Sequence, residues 1–97
     1  MDLQKSIKEC IGFDWDEGNK NKNLVKHNVS NEECELMFLG QIVLLLDEKH
    51  SVKEMRIVAY GETRDRLLTI VFTVRNKRIR VISARDQNKK EREIYNN

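Results

Sequence analysis

The chain has 97 residues and a mass of 11.5 kDa, enough for one small core and no second. Charged residues make up 35% of it, so its helices are expected to be solvated on one face, and its longest apolar run, Ile42 to Leu46, is too short to cross a membrane. The formal charge of +2 hides an asymmetry: residues 1–60 hold eight Lys/Arg against eleven Asp/Glu, residues 61–97 ten against five. A basic second half suits a phosphate-rich partner, with a solvated lysine-rich surface as the alternative. No apolar secretory core follows Met1, and Cys10 and Cys34 form neither a metal pair nor a disulfide framework. A reduced, cytoplasmic single domain over residues 1–97 is expected.

Leu3, Ile7, Cys10 and Ile11 recur at helical spacing until Gly12. This stretch reads as an N-terminal helical extension over residues 1–12. Phe13-Asp14-Trp15-Asp16 alternates apolar and acidic side chains and reads as a short strand. Asp16 can cap a helix running to about His27, weakened by Gly18 and several asparagines. Asn28 suits a left-handed C-cap, Ser30 and Glu33 form a capping box, and Val29 and Cys34 form the matching staple. Leu36, Met37 and Leu39 give that helix an apolar face, and Gly40 stops it.

The period then changes. Gln41 to Leu46 reads as a central strand, and Val52 to Tyr60 as an alternating one, with Met55, Ile57 and Ala59 opposite Glu54 and Arg56. Gly61 to Asp65 is a turn, followed by strands Leu67–Arg75 and Arg78–Arg85. Asn88 and Glu91 open a short C-terminal helix to Tyr95. The expected fold is therefore α+β: a small antiparallel sheet with the N-terminal helices packed on one face. Leu44, Ile57, Phe72, Val74, Ile79 and Val81 are its expected core.

If Asn76-Lys77 is a two-residue hairpin loop, Arg75 faces Arg78, Thr73 faces Arg80 and Val71 faces Ile82. Phe72 and Val81, and Val74 and Ile79, then lie on the other face. Like charges across a hairpin destabilise it, so three clustered arginines call for a reason. Binding phosphate, whose oxygens match the guanidinium fork, is one; surface ion pairs around Glu54 and Arg56 are the other. His27, beside Lys26, could move a proton near neutral pH or simply cap its helix. His50 reads as a solvated turn residue. Arg92 and Tyr95 share a helical face and could supply charge and a phenolic proton, or pack at the sheet's rim. No HxxxH, CxxC or glycine-rich phosphate loop occurs, so neither a metal nor a cofactor is expected.

Taken in order, these blocks resemble the BrnT family, toxins of type II toxin–antitoxin pairs with a fold similar to RelE ribonucleases. The matching stretches are Phe13-Asp-Trp-Asp16, Asn23-Leu-Val-Lys-His27 with Val29-Ser30, and Asp47-x-x-His50 with Glu54-x-Arg56. Gly61 and Arg66-Leu-Leu come next, then Thr73-x-Arg75, Arg78-Ile-Arg-Val-Ile-Ser-Ala-Arg85 and Glu91-Arg92-x-x-Tyr95. Asn28 stands where the family usually has glycine, a substitution the left-handed role permits. The resemblance implies a toxin domain over residues 13–97 that cleaves RNA without metal, restrains translation and is neutralised by a BrnA-like antitoxin encoded beside it. It suggests His27, Glu54, Arg85, Arg92 and Tyr95 as catalytic groups, and Lys26, Arg56, Thr73, Arg75, Arg78 and Arg80 as RNA contacts. A non-enzymatic nucleic-acid-binding or regulatory module, and a gyrase-directed toxin of the ParE type, remain alternatives.

Overall fold

The computed structural model describes residues 2–97. The chain runs α1 (Leu3–Lys8), β1 (Gly12–Phe13), α2 (Lys22–His27), α3 (Asn31–Met37), β2 (Val43–Leu46), a 3₁₀ turn (Glu48–His50), β3 (Ile57–Thr63), β4 (Arg66–Arg75), β5 (Arg78–Asp86) and α4 (Lys89–Tyr95). The fold is α+β, and the sheet has five strands in the order β1-β5-β4-β3-β2. It is mixed rather than purely antiparallel, because β1 runs parallel to β5.

Several local readings need correction. Gly61–Asp65 is not all turn: β3 runs on through Thr63 and only Arg64–Asp65 turn before β4, with Arg64 at a φ of 53°. Gln41–Leu46 is not central: β2 pairs only with β3 and forms an edge of the sheet. An apolar run reports burial of side chains, not how many neighbours the backbone has. Residues 52–56 are not strand; Ser51 Oγ accepts the Arg56 amide at 2.9 Å, taking a ladder donor before β3 begins at Ile57. The helix expected from Asp16 forms only over its last six residues, since Asp16 closes a turn on Gly18 and Asn21 adopts a left-handed backbone just before α2. The strand expected from Phe13 likewise shortens to Gly12–Phe13.

The caps behave as read. Ser30 and Glu33, and Asn88 and Glu91, each close a reciprocal capping box, while Asn28 ends α2 with a φ of 57°. The β4–β5 hairpin turns on Asn76 and Lys77, both at positive φ (52° and 60°), the signature of a type I′ turn. It pairs Arg75 with Arg78, Val74 with Ile79, Thr73 with Arg80 and Phe72 with Val81. Beyond that point the register shifts: Val71 pairs with Ser83, not Ile82, so Ile82 is the extra residue of a bulge.

This register sorts the two faces. Ile57, Ala59, Leu68, Ile70, Phe72, Ile79, Val81 and Ala84 point to one side and are buried with Val29, Cys34 and Met37. Leu44 and Val74 pack partly buried against them. Phe38 stands edge-on to both Phe72 and Phe13, tying β1 and the end of α3 into this core. Here lie α1 and α3, with α2 against β5; the opposite, open face carries the arginines and is crossed at one end by α4, and its Tyr60, Thr69 and Thr73 are buried.

Lysine carries a strain of about 1 kcal/mol in the left-handed region that glycine does not. We therefore expect Lys77→Gly, which creates the favoured Asn-Gly turn, to raise stability by roughly 0.5–1 kcal/mol, read as a higher urea midpoint at unchanged slope.

Candidate functional site

Alternation along the strands places Arg75 and Arg78 in one row of the open face, and Thr73 and Arg80 in the next, with Thr73 buried beneath its neighbours; Arg56, just before β3, lines the recess beside them. Val58, Val71 and Ser83 follow, then Tyr60, Thr69 and Arg85. Arg80 and Arg85 are five residues apart and would point to opposite faces in a regular strand. The bulge at Ile82 removes that difference and turns both toward the open face.

Most of these arginines already hold carboxylates of the same chain. Arg80 forks onto Asp16 at 2.9 and 3.0 Å and lies 3.5 Å from Asp14. The hydrogen bonds from Arg80 hold the Asp16 carboxyl below its ordinary range. Arg75 grips Glu54 at 2.9 and 3.1 Å, so the ion-pair alternative is correct for this arginine. Arg56 and Arg78 make no side-chain ion pair among the described residues.

Beside these rows a shallow recess of about 440 Å³ is lined by His50, Val52, Lys53, Glu54, Arg56 and Arg75. Its wall is a tightly closed loop. Asp47 donates its backbone amide to the Arg56 carbonyl at 2.9 Å, and Ser51 Oγ donates to the Asp47 carbonyl while accepting from the Arg56 amide. The Asp47 carboxylate meets His50 Nδ1 at 3.0 and 3.2 Å and accepts the His50 amide. With Nδ1 so engaged, Nε2 is the nitrogen left to exchange a proton with a bound molecule. Sequence reasoning passed His50 over as a solvated turn residue, which its exposure fits. The Asp47-x-x-His50 spacing was the signal that it had a fixed partner.

At the other end of the open face, Glu91 of α4 is the hub. Arg85 forks onto it at 2.7 and 2.8 Å, Thr69 Oγ1 donates at 3.0 Å, and the Asn88 amide at 2.9 Å. Burial opposes the charge on Glu91, but these donors outweigh it and leave its pKa lowered. Arg92 donates to the Gln87 carbonyl, and the Tyr95 hydroxyl to the Gln41 carbonyl, so both fix α4 to its surroundings. Burial raises the pKa of Tyr95. His27 and Lys26 stand elsewhere. They end α2 beside Asn28, whose carbonyl accepts from Arg66, and Arg66 belongs to the helical side together with its partners Glu33 and Asp86. The structure thus brings Glu54, Arg56 and Arg75 together with His50, groups Arg85 with Arg92 around α4, and sets His27 apart. Among the described residues no three His, Cys, Asp or Glu side chains converge as metal ligands would.

Residues 15–91 match the family described as ribonuclease toxin, BrnT, of type II toxin–antitoxin system. No curated protein and no solved structure matches the chain. Among the described residues no helix is long and apolar enough to cross a membrane.

Because the pKa of Glu91 is lowered in the folded chain, its contribution to stability is present above the ordinary carboxylate range and lost as pH falls through the folded value. Glu91→Gln should cost about 2 kcal/mol at pH 7, the scale of hydrogen bonds to a charged group. The gap from wild type should narrow in acid. Thermal melts of both proteins from pH 7 down to pH 3 check this.

Proposed function

This chain belongs to the BrnT family of ribonuclease toxins of type II toxin–antitoxin systems, and on that premise we propose that it is a metal-independent endoribonuclease whose proton-transfer groups are His50 and Glu54. It restrains translation by cutting RNA in the cytoplasm and is neutralised by a BrnA-like antitoxin encoded beside it. The observation that carries this reading is the recess holding His50, Glu54, Arg56 and Arg75 at the edge of an arginine-bearing sheet face.

RNA carries its own nucleophile, the 2′-hydroxyl. Glu54 takes its proton, the 2′-oxygen bonds to phosphorus, and the bond to the 5′-oxygen breaks as His50 Nε2 delivers a proton to it. The products are a 2′,3′-cyclic phosphate and a free 5′-hydroxyl. Arg56, with no carboxylate partner of its own, and Arg75 stabilise the extra negative charge on phosphorus as it develops. Asp47 orients the imidazole, as the carboxylate does in a catalytic triad. Arg78 and Arg80 hold the flanking phosphates, while Thr73, buried at 2% exposure, supports the row from beneath. Arg85, Arg92 and Tyr95 act through position, by keeping α4 docked.

Induced expression should arrest growth and fragment RNA, and a chelator should not protect the RNA. His50→Ala and Glu54→Gln should each lower cleavage by roughly two orders of magnitude or more, and Arg56→Ala by a similar factor. Lys77→Ala, a loop charge, should change salt-dependent binding by under about tenfold. Cleavage lost in His27→Ala but retained in His50→Ala would overturn the assignment. Growth arrest with intact RNA would point to a gyrase-directed toxin.

A further inference from the structure

We infer that a second copy of this chain pairs antiparallel with β2, joining two sheets across a two-fold axis at Leu44. This inference rests on the edge of the sheet and not on the catalytic reading.

An unpaired edge offers its amides and carbonyls to any strand that comes near, and proteins ordinarily blunt such edges with a lysine, a proline or a bulge. Gln41–Leu46 has none of these: its side chains are one amide and five aliphatic groups, and the pairing of Val43–Leu46 with β3 is unbroken. Leu45 and Leu46 stand 41% and 43% exposed.

The outward-facing groups follow from the inner ladder. The Asp47 amide bonds the Arg56 carbonyl, and Leu46 is paired with Ile57. In an antiparallel ladder this directs Asp47, Leu45 and Val43 toward β3, and the backbone groups of Leu46, Leu44 and Ile42 outward. Among the described residues those three make no other backbone bond outside the strand pairing.

A two-fold axis normal to the sheet preserves its faces, so each residue must meet one of equal parity. Centred on Leu44, the axis pairs Leu44 with itself, Val43 with Leu45 and Ile42 with Leu46. The five-residue apolar run is closed under this operation, and every outward residue meets an outward residue. Gln41 then meets Asp47 of the second copy, an amide against a carboxylate. Centring on Leu45 would instead set Asp47 against Val43. An open groove of about 630 Å³, lined by Gln4, Gly40–Val43, Tyr95, Asn96 and Asn97, lies beside the first residues of this edge. The chosen register brings the second copy's Asp47–His50 turn to that groove, where side-chain amides can donate to Asp47 and Glu48.

The test is the mass of the purified chain in solution. By sedimentation velocity near 100 µM, wild type should run at twice 11.5 kDa. Leu45→Lys and Leu46→Pro should run as single chains with unchanged circular dichroism; the proline removes only an outward-facing amide. Mixing Val43→Cys with Leu45→Cys chains under oxidation should give a disulfide between the two, the pair the register sets opposite. A wild-type chain that is monomeric at this concentration overturns the proposal. So does a dimer that persists in both folded variants. Protection of the β2 amides from hydrogen exchange only when an antitoxin is bound would assign the edge to that partner instead.

Discussion

The bulge at Ile82 sets what each side of this molecule can do. On the turn side of it, the type I′ hairpin aligns Phe72 with Val81 and Thr73 with Arg80, which fixes one apolar and one polar face. Past it, the one-residue offset keeps Ala84 in the core and turns Arg85 to the open face, where Glu91 holds it. Without that offset Arg85 would be driven into the apolar layer beneath α3, and α4 would lose the fork that docks it.

The open face is also an electrostatic compromise. Arg75, Arg80 and Arg85 would repel one another across two strands, and each instead holds a carboxylate: Glu54 and Asp16, brought from distant parts of the chain, and Glu91 from the adjoining helix α4. These pairs fix the guanidinium groups in place, the preorganisation that the proposed RNA contact calls for. The most exposed of them, Arg75–Glu54, can exchange its internal carboxylate for an external phosphate at modest cost. Arg56 and Arg78 need no such exchange.

Where local chemistry decides conformation, the sequence was legible: both capping boxes, the left-handed Asn28, the hairpin loop and the core positions Ile57, Phe72, Ile79 and Val81 stand where spacing put them. What it did not reveal are features set by distant partners. No glycine or proline marks Ile82 as a bulge. Leu44 to Leu46 are as aliphatic as any central strand, yet nothing in them tells that β2 lacks an outer neighbour. The arginine face was readable as a face, but its ion pairs needed residues up to 64 positions apart to meet. His50 was passed over because exposure and a turn location describe it correctly; only the closed Asp47–Arg56 loop shows that it is held.

The account turns on the open face and its recess being where RNA is met. The most direct measurement is an amide NMR titration with a short single-stranded RNA carrying 2′-deoxy substitutions, which binds but cannot be cut. The account predicts shifts concentrated at His50, Glu54, Arg56, Thr73, Arg75 and Arg80, with α2 and α3 quiet. Shifts centred on Lys26, His27 and the exposed face of α2, with the open face unmoved, would contradict it.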